Sequence, residues 1–130
     1  MDVSFSKYHG AGNDFILLDD RNSFFPCENK EFIQRLCHRQ LGIGADGLIL
    51  LQRGTKAPYR MRIFNQDGKE AAMCGNGLRC LAAFIRNLEE AGERFEIESR
   101  EGVHPCHLRG DRVSVSLGRP FVKEWGLTLF

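Results

Sequence analysis

Two stretches of this sequence repeat their apolar residues at helical spacing while strand-sized apolar runs recur along the rest, an imbalance that limits the fold to a sheet carrying a few helices. The first stripe is Phe32, Ile33, Leu36 and Cys37, with Asn29 as N-cap and Gly42 as the stop. The second begins near Asn76 and runs through Leu78, Leu81, Ala82, Ile85 and Leu88, with Gly92 beyond it. Strands are expected at Val3 to Tyr8, Phe15 to Asp19, Leu48 to Leu51, Tyr59 to Asn65, Phe95 to Ser99, Val103 to Leu108 and Val113 to Leu117. Within Tyr59 to Asn65, alternation sets Met61 and Ile63 on one face and Arg60 and Arg62 on the other. Gly110-Asp111 reads as a hairpin turn. Short connections and the excess of strands predict an α+β fold, a largely antiparallel sheet packed on helices.

At 130 residues the chain can make one domain with a real core, and a second large domain does not fit. The formal net charge is +1 with both signs intermixed, which predicts no nucleic-acid partner and no membrane anchor. The start, Met1 to Phe5, lacks the basic and then apolar pattern of a signal peptide, so a cytosolic, soluble protein is expected. Five cysteines are an odd number, and a reducing compartment would keep them as thiols. Imidazole and thiolate are good zinc ligands, so His104, Cys106 and His107, together with Cys37 and His38, offer a candidate metal site whose alternative is a simple strand. Alternation would turn His104 and Cys106 to one face and His107 to the other, so no metal site is expected.

The segment Met73-Cys74-Gly75-Asn76-Gly77-Leu78-Arg79-Cys80 sets a thiol, two glycines and an amide at a helix entrance. Unpaired backbone N–H groups and the positive end of the helix dipole converge at such an entrance, which binds anions and favours a thiolate. The bland alternative is a small buried cysteine beside turn-forming glycines. Cys80, six residues on, falls inside the helix and reads as core. Ile63-Phe64-Asn65-Gln66-Asp67-Gly68 reads as a strand ending in a polar turn, which would bring the Asn65 amide near the same helix mouth, though asparagine at a strand end is also a common turn former. His9-Gly10-Ala11-Gly12-Asn13-Asp14-Phe15 repeats the theme, with glycines presenting the Asn13 carboxamide. Two amides and a thiol suit a small polar ligand.

Four ordered motifs, His9 to Phe15, Gly42 to Gly47, Phe64 to Gly68 and Met73 to Cys80, resemble diaminopimelate epimerase over about Val3 to Pro120. In that family this region is the first of two pseudo-symmetric domains. The resemblance implies residues 1–118 as that domain and 119–130 as the start of a linker or second-domain strand. It implies pyridoxal-independent interconversion of LL- and meso-diaminopimelate, on the route to lysine and peptidoglycan, with no cofactor. Cys74 then corresponds to one of two catalytic cysteines. Gly75 and Asn76 would hold the substrate α-carboxylate through backbone N–H groups, and Asn13 and Asn65 would contact the substrate. Where some members carry Gln, this chain has Gly47.

Inverting a stereocentre without a cofactor needs a base on one face of the carbon and an acid on the other, so one thiol is half of a two-thiol site. The resemblance places the second cysteine in a second domain or a partner chain. The sequence stops within the strand-like run Phe121 to Phe130, which suggests part of a larger architecture or a C-terminal strand that completes the sheet. Other readings are a related racemase acting on glutamate or proline-like substrates, a catalytically silent binding or assembly module, and a homodimer offering two Cys74 thiols.

Overall fold

The computed structural model describes residues 4–89 and 92–117, so the expectations for Val3 and for residues 118–130 lie outside the described residues. Leu48 to Leu51, four consecutive apolar residues, can be buried only if both faces of their strand are covered. The strand is β3 (Gly47–Arg53), and all four side chains are buried. It lies between β2 (Asn13–Asp19), which runs parallel to it, and β4 (Tyr59–Asn65), which is antiparallel. An outer strand, β1 (Ser6–Gly10), pairs antiparallel with β2.

On its other side β4 pairs with two strands. The short β5 (Glu70–Ala71) meets Ile63 and Phe64, while β6 (Arg94–Ser99) runs parallel to Tyr59 and Arg60. Beyond β6, the strands β7 (Gly102–Arg109) and β8 (Arg112–Val115) continue antiparallel. The order is β1-β2-β3-β4-β6-β7-β8, and only two of its pairings are parallel. The expected α+β class and largely antiparallel sheet are therefore what the chain forms.

The two helices cover opposite faces. Helix α2 (Gly75–Glu89) packs Leu78, Leu81, Ala82 and Ile85 against Leu17, Ile49, Leu51, Met61, Ile63 and Ile97. It touches both β1 and β8, so the sheet curls around it. Each fully buried Leu or Ile here contributes about 1.5–3 kcal/mol. Leu88 departs from the expected stripe: it is 43% exposed. Helix α1 (Lys30–Cys37) lies on the other face, where Ile33 and Cys37 join Ile16, Leu18, Leu48, Leu50 and Phe64.

Asn29 caps α1 as expected, its side chain accepting from the Phe32 N–H at 3.0 Å. The helix does not reach Gly42. It ends at Cys37 because His38 turns extended, and the following loop fills the last carbonyls. Gly42 N–H donates to His38, Gly44 N–H to Leu36 and Ala45 N–H to Cys37. A Cβ on Gly42 would sit 1.8 Å from the Arg35 carbonyl oxygen, so the glycine folds the loop onto the helix end instead of terminating the helix.

The glycine loop between the first strands is also tighter than expected. Both Ala11 (φ +51°) and Gly12 (φ +91°) take positive φ, making a two-residue hairpin turn. Asn13 and Asp14 consequently belong to β2. Gly110 (φ +60°) and Asp111 form the expected hairpin turn, but β8 stops at Val115, before the Leu117 expected from the sequence. Among the described residues no helix is long and apolar enough to cross a membrane.

Candidate active site

Helix α2 begins where Cys74 accepts, through its carbonyl, the N–H of Leu78 at 2.8 Å. Cys74 is therefore the N-cap residue, half-buried, and the N–H groups of Gly75, Asn76 and Gly77 open the helix without an acceptor among the described residues. Gly77 sets how near the sheet this entrance lies. A Cβ there would come 2.9 Å from Ile63 Cδ1 and 3.1 Å from Ile49 Cδ1, so the helix start rests directly on β3 and β4.

The sheet brings its own residues to the same end. Phe15, Gly47 and Asn65 stand opposite one another across β2, β3 and β4. Strand alternation puts Asn13 on the face of Phe15 and Leu17, and Asn65 on the face of Met61 and Ile63, both toward α2. Gly47 offers no side chain between them, and a Cβ there would meet the Phe64 carbonyl oxygen at 2.8 Å.

Asn76 Nδ2 donates to Asn13 Oδ1 at 2.9 Å, joining the helix entrance to β2. Asn13 Nδ2 in turn donates to Asp46 Oδ2 at 3.3 Å, and the Asp14 N–H donates to the same oxygen at 3.1 Å. Arg39 reaches Asp46 Oδ1 at 3.1 Å and grips Asp14 with two bonds of 2.7 Å. The Asp46 N–H returns a bond of 3.0 Å to Asp14. Arg39 beside it, with Lys7 at 3.1 Å, holds the Asp14 carboxyl well below the usual carboxylate range despite partial burial. At the other end Arg79 donates to Asn76 Oδ1.

Of the residues expected at the site, Cys74, Gly75, Asn76 and Asn13 come together. Asn65 reaches the same end of the sheet, exposed, with no side-chain hydrogen bond among the described residues. Sequence reasoning did not single out Asp46, Arg39, Lys7 or Arg79. Asp46 lies within the motif Gly42 to Gly47, which was its only signal.

The remaining thiols stand apart from this mouth. Cys80, Cys106 and Cys37 are buried, and burial pushes their thiols up to about 11, 12 and 11. Cys27, packed beside α1's face of the sheet, is also raised by burial. His104 and Cys106 share the core face as alternation required, while His107 on the opposite face is half-buried. His104 bonds the Ser99 hydroxyl at 2.7 Å and the Ser116 carbonyl at 3.0 Å. Among the described residues no group of three or more His, Cys, Asp or Glu comes together to hold a metal.

A sheet curled around one helix is a class of fold with solved examples. A hydroxyproline epimerase from Agrobacterium vitis with bound trans-4-OH-L-proline matches with a TM-score of 0.57 at 18% identity, over 87% of this chain and 40% of that one. A phenazine biosynthesis protein of the PhzF family from Bacillus anthracis matches with a TM-score of 0.57 at 21% identity, over 81% of this chain and 34% of that one. At such identities the likeness is one of fold.

The sequence relationship is much closer. The family model described as diaminopimelate epimerase matches residues 5–122. A protein named diaminopimelate epimerase from Synechocystis sp. is 51% identical over 125 residues, covering 92% of this chain and 44% of its own length. Another so named, from Archaeoglobus fulgidus, is 40% identical over 125 residues, covering 92% of this chain and 45% of its own length. The chain belongs to the diaminopimelate epimerase family, and it spans less than half the length of these relatives.

Proposed function

We propose that this chain supplies one half of the active site of a diaminopimelate epimerase, an isomerase that interconverts LL- and meso-diaminopimelate by two-base proton transfer at the α-carbon. The observation that carries the reading is the entrance of α2. There a half-buried thiol stands beside first-turn N–H groups, within a chain that matches the family over residues 5–122.

In this reading the N–H groups of Gly75 and Asn76 take the substrate α-carboxylate. An α-proton next to a carboxylate is a very weak acid, so donors on that carboxylate must stabilise the carbanion as it develops. Cys74 removes or returns the proton on one face. A second thiol, from a further domain or a partner chain, serves the other face, because Cys37, Cys80 and Cys106 are buried and Cys27 packs on the α1 face of the sheet, away from the α2 entrance. Asn13 and Asn65 contact the substrate, and the two-thiol chemistry needs no cofactor. Residues 1–118 form the first of two domains. A cytoplasmic location fits a reaction that needs reduced thiols, and all five cysteines are free.

The test is incorporation of deuterium from D2O at the α-carbon of LL- and meso-diaminopimelate by the protein that carries this chain. Wild-type protein exchanges, and Cys74→Ala loses at least about 100-fold in rate. Exchange at an undiminished rate in Cys74→Ala would sink the assignment.

A further inference from the structure

Asn13 and Asn76 each carry an amide whose oxygen and nitrogen ends could exchange places, and what the site offers a ligand depends on which way each faces. The two are bonded to one another and then to opposite charges. Asn13 ends on the Asp46 carboxylate, Asn76 on the Arg79 guanidinium. Turning Asn13 over would press its carbonyl oxygen against a carboxylate and its NH2 against the NH2 of Asn76. Turning Asn76 over would aim its NH2 at a guanidinium.

We propose that Asp46 and Arg79 are positioning residues that fix, from the two ends, the orientation of the Asn13 and Asn76 carboxamides. The inference rests on the reading of Asn13 as a substrate contact. Asp46 is itself held: Arg39 takes one of its oxygens, while the Asp14 N–H and Asn13 share the other. With this polarity each NH2 has one hydrogen committed inside the chain of bonds and one left over. Those hydrogens, beside the backbone N–H groups of Gly75 and Asn76, make the mouth rich in donors, which suits a carboxylate ligand.

The experiment is a double-mutant cycle between Asp46→Ala and Asn13→Ala, read as KM and kcat for diaminopimelate, together with 1H–15N spectra of the side-chain amides. Asp46→Ala is expected to raise KM about tenfold with kcat within about threefold, and to change KM less than about twofold once Asn13 is already alanine. Asp46→Asn keeps a carbonyl oxygen for Asn13 and the Asp14 N–H but turns its NH2 toward Arg39, so its KM is expected to lie between those of wild type and Asp46→Ala. The Asn13 NH2 signals shift in Asp46→Ala.

An equal rise in KM in both backgrounds, or unmoved Asn13 signals, would overturn the proposal. Should Asp46→Ala lose its fold, Arg79→Met asks the question from the other end, and unmoved Asn76 NH2 signals would overturn it there. Wild-type protein that exchanges no α-proton defeats the proposed reaction instead, and the amide spectra still decide the orientation.

Discussion

At the scale of single residues, the cysteines are sorted by where the fold puts them. A thiol titrating near 11 is ionised only to on the order of one part in a thousand at pH 8, and thiolate is the species that reacts. Cys37 and Cys80 are held there by burial, and Cys106 is pushed to about 12. Cys74 is half-buried at a helix entrance instead. Iodoacetamide at pH 8, followed by peptide mass spectrometry, should therefore label Cys74 at least about tenfold faster than Cys37, Cys80 or Cys106. Comparable labelling of Cys80 would show that the core around α2 opens more readily than its packing implies. This distinction was legible in the sequence, because Cys74 precedes a helical stripe and Cys80 sits inside it. The partners of Asn13 were not. Asp46 and Arg39 lie 33 and 26 residues further along the chain, and only the parallel pairing of β2 with β3 brings them alongside.

At the scale of elements, α1 shows what local pattern captures and what it misses. Its beginning is a local event, one side-chain oxygen on one N–H three residues on, and Asn29 announces it. Its end is decided by a loop that returns over it, so Gly42 carries the local signature of a stop while its task is close approach to the Arg35 and Leu36 carbonyls. The two ends should respond differently to alanine. Asn29→Ala loses one cap bond and should cost about 1 kcal/mol in chemical denaturation. Gly42→Ala drives a methyl group into backbone atoms that cannot step aside, and should cost about 2–3 kcal/mol. That loop also carries Asp46, so under the proposed function Gly42→Ala should weaken diaminopimelate binding as well, which Asn29→Ala should not. Equal losses from the two substitutions would mean that the loop relaxes freely.

At the scale of the whole molecule, carboxylates tie segments distant in sequence to the sheet, and their protonation loosens it. Asp14 joins β1 and β2 to the loop after α1, and Arg62 clasps Glu70 with bonds of 2.9 and 2.8 Å. Glu98, 7% exposed, accepts three N–H bonds from Thr55, Lys56 and Ala57 at 2.7, 2.6 and 3.0 Å, fixing the turn between β3 and β4. Burial pushes the Glu98 carboxyl up, but the three N–H donors outweigh it and leave it below its ordinary 4.5. Asp14 and Glu70 are lowered mainly by hydrogen bonds from Arg39 and Arg62. A folded-state value below the unfolded one means that the unfolded chain binds more protons in the interval. The stabilisation is complete above the ordinary values of 3.8 and 4.5 and is lost as pH falls through the lowered ones. Thermal stability should hold from pH 7 to about 5.5 and decline progressively below about pH 4.5, with the Asp14 contribution the last to be lost. Glu98→Gln separates one contributor, since it keeps the shape and an acceptor oxygen but removes the charge. It should be less stable than wild type by about 1–2 kcal/mol at pH 7, with the gap closing as the pH falls below the ordinary 4.5 and through the lowered folded-state value, where Glu98 itself becomes neutral. A gap that stays constant across that range would assign the acid sensitivity to the arginine-held carboxylates and leave Glu98 a neutral acceptor throughout.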